Sequence, residues 1–135
     1  MLRIASMSFA DEIQKRLYRF ALAVRRFCLT LPGTSAASEI SGQLRRSSSS
    51  ASANYRASRR ARSRKEWLAK LGTVVEELDE AEHWLTMVQD SDVKPASQNL
   101  LTDCRELRAI LAKSCATARR PQKRRKKPDS NSPIH

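Results

Sequence analysis

The residues with most chemistry to offer are arginines. Between positions 41 and 65 the chain carries Arg45, Arg46, Arg56, Arg59, Arg60, Arg62, Arg64 and Lys65 and no acidic residue. A guanidinium presents a planar fork of donors that meets a phosphate bidentately, whereas an ammonium acts as a point charge, so an arginine-rich block suits phosphate well. Arg59 and Arg60 lie three and four positions after Arg56, a helical spacing that lets them line one exposed face. A second block, Arg119, Arg120, Lys123, Arg124, Arg125, Lys126 and Lys127, puts seven positive charges within nine positions. Such an arm binds polyphosphate without sequence preference, and each phosphate it neutralises adds about 0.9 to the salt slope on duplex. Both blocks also have plainer readings. The first can pair with carboxylates of the bundle or of a neighbouring subunit, and the second can be a solubilising tail.

Other chemistry is sparse. The two histidines are His83 and His135, and no Ser, Cys or Asp sits beside them in a nucleophile motif, so the chain reads as a non-enzyme. His83, next to Glu82, reads as a surface histidine in an acidic stretch. Cys28, Cys104 and Cys115 form no CxxC pair and have too few histidine companions for a metal cage; they read as reduced core residues. The carboxylates Glu76, Glu77, Asp79, Glu80 and Glu82 lack the loop spacing of an EF-hand, which leaves a solvated face or pairing with basic residues of another subunit. No metal or cofactor is expected. Tyr55 interleaves with the arginines where it could stack on a base, but its heptad position favours the core, as does that of Trp67.

The elements that carry these residues are helices. A chain of 135 residues with three Gly, five Pro and seven aromatics is one domain long and poor in the turn chemistry of a sandwich or barrel. Its longest apolar run is far short of the roughly 18 residues a membrane span takes, and residues 1–10 lack a secretory h-region, so a soluble, cytoplasmic protein is expected. The net charge of +12 points to a polyanion partner. It is segregated: residues 66–117 hold ten acidic against five basic groups, between the two basic blocks.

Ile13, Leu17, Phe20, Val24, Phe27 and Leu31 alternate spacings of four and three, which predicts a first helix from Asp11 to Leu31, stopped by Pro32 and Gly33. Ile40, Leu44, Ser47, Ala51 and Tyr55 continue the pattern through a serine-rich stretch and predict a second helix over Ser38–Arg62, its small residues admitting a close neighbour. Ser63 followed by Glu66 is a capping box that starts a third helix at Arg64. Trp67, Leu71, Val74, Leu78, Ala81, Leu85 and Val88 carry that helix to Gln89, with Leu68 and Val75 widening the stripe. Pro95 suits the first turn of a fourth helix, which carries Leu100, Cys104, Leu107 and Leu111 and ends near Ala118. Four amphipathic segments with short joins make an all-α, antiparallel up-and-down four-helix bundle over 11–118, after an N-terminal segment, 1–10, and before a disordered basic tail, 119–135.

The segment QLRRSSSSASANYRASRRARSRKEWLAKLG, Gln43 to Gly72, resembles the core motif of the 23S rRNA-intervening-sequence protein family of bacteria, also called the four helix bundle protein family. LPGT at Leu31–Thr34, VVEELDEAEHWL at Val74–Leu85 and LRAILAKSCATARR at Leu107–Arg120 extend the resemblance over residues 11–120. It implies an antiparallel four-helix bundle assembling as a homo-oligomeric ring, a pentamer, without known catalytic activity. Nucleic-acid binding is the usual suggestion for the family. A similar bundle is the accessory protein of diversity-generating retroelements, which makes a protein-interaction scaffold, for example for a reverse transcriptase, the alternative to RNA or DNA backbone binding.

Overall fold

A computed structural model describes residues 7–91 and 98–121. Four helices follow one another: α1 (Phe9–Cys28), α2 (Ser35–Ser58), α3 (Arg64–Asp90) and α4 (Gln98–Arg119). Each helix packs on its chain neighbours, α4 closes back on α1, and among the described residues the backbones of the diagonal pairs stay apart. Partners run in opposite directions along adjacent helices: Arg25 and Cys28 of α1 meet Ser49 and Ser41 of α2, while Arg59 near the end of α2 meets Gln14 and Asp11 near the start of α1. The bundle is therefore antiparallel and up-and-down, as the hydrophobic spacing predicts.

Local chemistry fixes the helix starts. The Ser8 hydroxyl accepts from the Asp11 amide at 3.1 Å and the Asp11 carboxylate accepts from the Ser8 amide at 3.3 Å, a reciprocal box that starts α1 at Phe9, two residues before the expected position. Thr34 caps α2, accepting from the Ala37 amide at 3.2 Å, so that helix begins three residues earlier than Ser38. At Ser63 half of the expected box forms: its hydroxyl accepts from the Glu66 amide at 3.1 Å, while the Glu66 carboxylate accepts instead from the Arg62 amide at 3.3 Å.

Two ends differ from the sequence expectation. α1 stops at Cys28, and Thr30 and Leu31 donate to the Phe27 and Cys28 carbonyls in tighter turns, leaving Leu31 in the loop. α2 stops at Ser58 and not Arg62, because Arg60 and Ala61 donate three residues back, to Ala57 and Ser58. Arg119, read as the first tail residue, is instead the last residue of α4. Pro95 and the rest of the expected tail, 122–135, lie outside the described residues.

The core is the predicted seam with few exceptions. Leu17, Val24, Leu44, Val74, Leu78, Ala81, Leu85, Val88, Cys104 and Leu107 are fully buried, and Phe20 nearly so. Trp67 is half-buried and packs against this cluster from its edge. The serine-rich middle of α2 is helical because its buried hydroxyls are satisfied locally: Ser47 donates to the Leu44 carbonyl and Ser48 to the Arg45 carbonyl, each at 3.2 Å. With Ala51 fully buried beside them, these small residues let the neighbouring helices approach α2 closely.

Candidate nucleic-acid interface

The fold sorts the first basic block into spent and available cations. Arg46 is spent: its guanidinium reaches Glu80 at 2.6 Å and Glu77 at 3.3 Å on α3. Glu80 is correspondingly held below the usual carboxylate range, chiefly by the hydrogen bond from Arg46. Arg45 turns back on its own helix and donates to the Ser41 carbonyl at 3.3 Å. Arg59 crosses to α1, where it contacts Asp11 at 2.8 Å and Gln14 at 2.8 Å. Arg64 donates to the Ala118 carbonyl and ties the start of α3 to the end of α4. The side chains of Arg56, Arg60, Arg62 and Lys65 are exposed and have no carboxylate partner among the described residues. Of the eight, only Arg46 serves a carboxylate of α3.

The acidic face of α3 is likewise used within the chain. Glu82 accepts from Arg105 at 2.9 Å and from Arg108 at 2.7 Å on α4; burial works to raise its pKa, and the two guanidinium bonds more than reverse that. Asp79 lies 4.0 Å from Arg108. Neither the solvated face nor the intersubunit pairing expected from the sequence describes Glu77, Glu80 and Glu82, which are tied to α2 and α4 of their own chain. Glu76 is exposed. His83 is exposed too, as expected, with its ring edge-on to Trp84 at 5.0 Å between centroids. No group of three or more potential metal ligands occurs among the described residues. Tyr55 is buried, with its phenol pKa raised by that burial, and so cannot reach a base. All three cysteines are free thiols: Cys104 and Cys115 are buried and Cys28 half-buried.

Antiparallel packing then gathers what the sequence separates. The end of α2, the start of α3 and the end of α4 share one end of the bundle, so Arg60, Arg62, Arg64 and Lys65 stand beside Arg119 and Arg120. The Arg119 guanidinium lies beside Gly72, 3.7 Å from where a Cβ would be. The five remaining cations of the expected arm, Lys123, Arg124, Arg125, Lys126 and Lys127, follow in sequence outside the described residues. A hollow of about 330 Å³ bordered by Arg56, Arg60, Arg62 and Lys70, with Glu66, joins this end to the outer face of α2.

Composition and periodicity missed a second concavity. α1 and α2 flank an open groove of about 980 Å³, lined from α1 by Lys15, Tyr18, Arg19, Leu22 and Arg25 and from α2 by Ser49, Ser52, Ala53 and Arg56. Arg56 and Ala53 border both hollows, so the cationic surface runs unbroken from the bundle end into the groove. The signal in the sequence was Tyr18, an aromatic directly after seam residue Leu17, hence off the seam, with Lys15 and Arg19 beside it.

No described helix is long and apolar enough to cross a membrane. No curated protein matches the chain significantly. Among solved structures the bundle is similar to a protein of unknown function from the S23 ribosomal protein family of Bacteroides thetaiotaomicron, with a TM-score of 0.73 and 23% identity over 79% of this chain and 97% of that one, a likeness of fold. The model of the 23S rRNA-intervening sequence protein family matches residues 10–113. With that match running from the first turn of α1 through most of α4, and the motif of α2 and α3 at its centre, this chain belongs to the 23S rRNA-intervening sequence protein family.

Proposed function

We propose that this chain is a non-enzymatic, cytoplasmic protein that binds RNA or DNA backbone through the cationic end of its bundle, as a homo-oligomer of the pentameric kind the family resemblance implies. The observation that supports the reading is the gathering of Arg60, Arg62, Lys65 and Arg120 at one end with no ion pair among the described residues: Glu66, the carboxylate that borders the hollow beside Arg60 and Arg62, accepts from the Arg62 amide, and Glu77, Glu80 and Glu82 of α3 are bridged to other arginines. Unpaired cations held close together on a rigid scaffold repel one another, and a phosphodiester strand relieves that repulsion. Fixed helices carry the contacts but present no base-reading side chains at groove spacing, so backbone and shape dominate over sequence. A homo-oligomer repeats the patch and raises effective concentration without new contacts.

The test is binding of a labelled structured RNA across a salt series, for the chain and for a variant with Arg60, Arg62 and Lys65 changed to Glu. The variant should bind at least tenfold more weakly, with a salt slope smaller by about 2 to 3. Equal binding by the two, or none by either at low salt, overturns the reading and leaves the same surface as a docking face for a protein partner such as a reverse transcriptase. Light scattering should give five times the 15.3 kDa chain mass; a monomer overturns the assembly.

A further inference from the structure

The groove between α1 and α2 contains a feature that backbone binding alone does not require. Tyr18 is 59% exposed, although its neighbours on the same helix, Leu17 and Ala21, are buried in the core. Its ring therefore borders the groove and lies outside the buried core of the bundle. Cations flank it along the groove: Lys15 and Arg19 on α1, and Arg56 on the facing wall. Among the described residues the only carboxylate that lines the groove, Asp11, is held by Arg59 at 2.8 Å and by the Ser8 cap. On the α2 side the lining includes the small side chains Ser52 and Ala53, so a chain laid in the groove can come close to the α2 backbone.

An aromatic face set between unpaired cations is the combination that holds single strands. The bases stack on the ring while the cations track the phosphates. A duplex keeps its base faces inside its own stack and cannot offer one to Tyr18. From Lys15 to Arg25 the α1 wall runs for about 15 Å, long enough for a few nucleotides. A helix from another protein fits the groove poorly, since seating it would strip water from Lys15, Arg19 and Arg56 with no acidic partner in view.

We infer that the groove between α1 and α2 binds unpaired nucleotides of a single strand, with a base stacked on Tyr18 and the flanking phosphates on Lys15, Arg19 and Arg56. This rests on the nucleic-acid reading above and narrows it to a class of strand. The cationic end takes backbone of any form, and the groove adds a preference for unpaired residues.

The test compares binding of a labelled short oligouridine and of a labelled RNA duplex of the same length to the full chain. The wild type should prefer oligouridine. Tyr18→Ala, whose truncated ring is exposed and so leaves the fold intact, should bind oligouridine at least about fivefold more weakly and lose most of that preference. Tyr18→Trp, which restores a ring, should restore it. Three results overturn the groove assignment while leaving backbone binding in place: an unchanged oligouridine affinity for Tyr18→Ala, an equal loss on both probes, or a smaller sedimenting species that marks the groove as a contact between copies. A wild type that binds neither probe overturns the nucleic-acid reading itself.

Discussion

Glu82 shows how single residues of this bundle divide between cohesion and binding. Its carboxylate takes one guanidinium from Arg105 and another from Arg108, and with Arg46 on Glu80 it fastens α3 to both neighbours. A carboxyl held below its ordinary value of 4.5 stabilises the folded state fully above that pH, and the contribution is lost as pH falls through the folded value. Glu82→Gln should therefore cost about 0.5 to 1 kcal/mol at pH 7, as partly exposed ion pairs do, and less at pH 3, where protonation has begun to remove the pair. Urea melts of both proteins at the two pH values check this, and a constant difference would remove the charge from the explanation. The thiols make a second case. Burial pushes Cys104 up to about 12, and its Sγ donates to the Leu78 carbonyl at 3.2 Å, so it is neither ionised nor accessible in the native bundle. Iodoacetamide at pH 8 should modify half-buried Cys28 in the folded protein and Cys104 only after unfolding. Modification of Cys104 as fast as Cys28 would mean that the α3–α4 seam opens readily.

Helices were the most legible level of the sequence, because alternating spacings of four and three place apolar residues on one stripe whatever the tertiary context. The seams of α2, α3 and α4 fall where the spacing puts them, including Ser47 and Ala51, which composition alone would assign to a linker. Boundaries were less legible: Ser8 and Thr34 act as caps through backbone geometry that apolar periodicity does not register, and the arginines after Ser58 contain no breaker although the chain turns there. For the candidate site, the sequence marked the cations of α2 but not which were already paired, since Arg46 and Arg59 meet carboxylates that lie 31 and 48 positions away in the chain. The groove on α1 escaped for the same reason, as it exists only once α1 and α2 pack. Two substitutions probe the elements. At Gly72 a Cβ would meet Arg119 at an ordinary 3.7 Å, so Gly72→Ala should stabilise by about 0.5 to 1 kcal/mol, through lower backbone entropy in the unfolded chain. At Ala51, fully buried in the core, a leucine should overpack the seam of α2 and cost about 1 to 3 kcal/mol. Thermal melts read both, and a tolerated Ala51→Leu would mean that α2 is not closely packed on its neighbours there.

Across the described bundle, folding pairs more than half of the carboxylates with arginines of other helices and leaves most of the cations of the first basic block without an ion pair. Asp11 on α1, Glu77, Glu80 and Glu82 on α3, and Asp103 and Glu106 on α4 are bridged between helices, while Arg60, Arg62, Lys65 and Arg120 at one end and Lys15, Arg19 and Arg56 along the groove have no ion pair among the described residues. Two salt effects then oppose each other. Screening weakens the interhelical ion pairs, each worth little at partly exposed positions, and it also relieves repulsion among Arg60, Arg62, Arg64, Lys65, Arg119 and Arg120. Because the charge is so far from balance, repulsion should win, and the melting temperature should rise as sodium chloride is added from low to moderate concentration. A polyanion should raise it further at constant ionic strength, since a ligand that binds only the folded state stabilises by RT ln(1 + [L]/Kd), about 2.7 kcal/mol at a hundredfold excess over Kd. Heparin, which offers dense charge but no bases, separates the two surfaces. It should protect wild type and Tyr18→Ala equally, and protect the variant with Glu at 60, 62 and 65 far less. A melting temperature that instead falls steadily with salt would mean that the interhelical ion pairs outweigh the cationic end, and that this end is less crowded with charge than its residues imply.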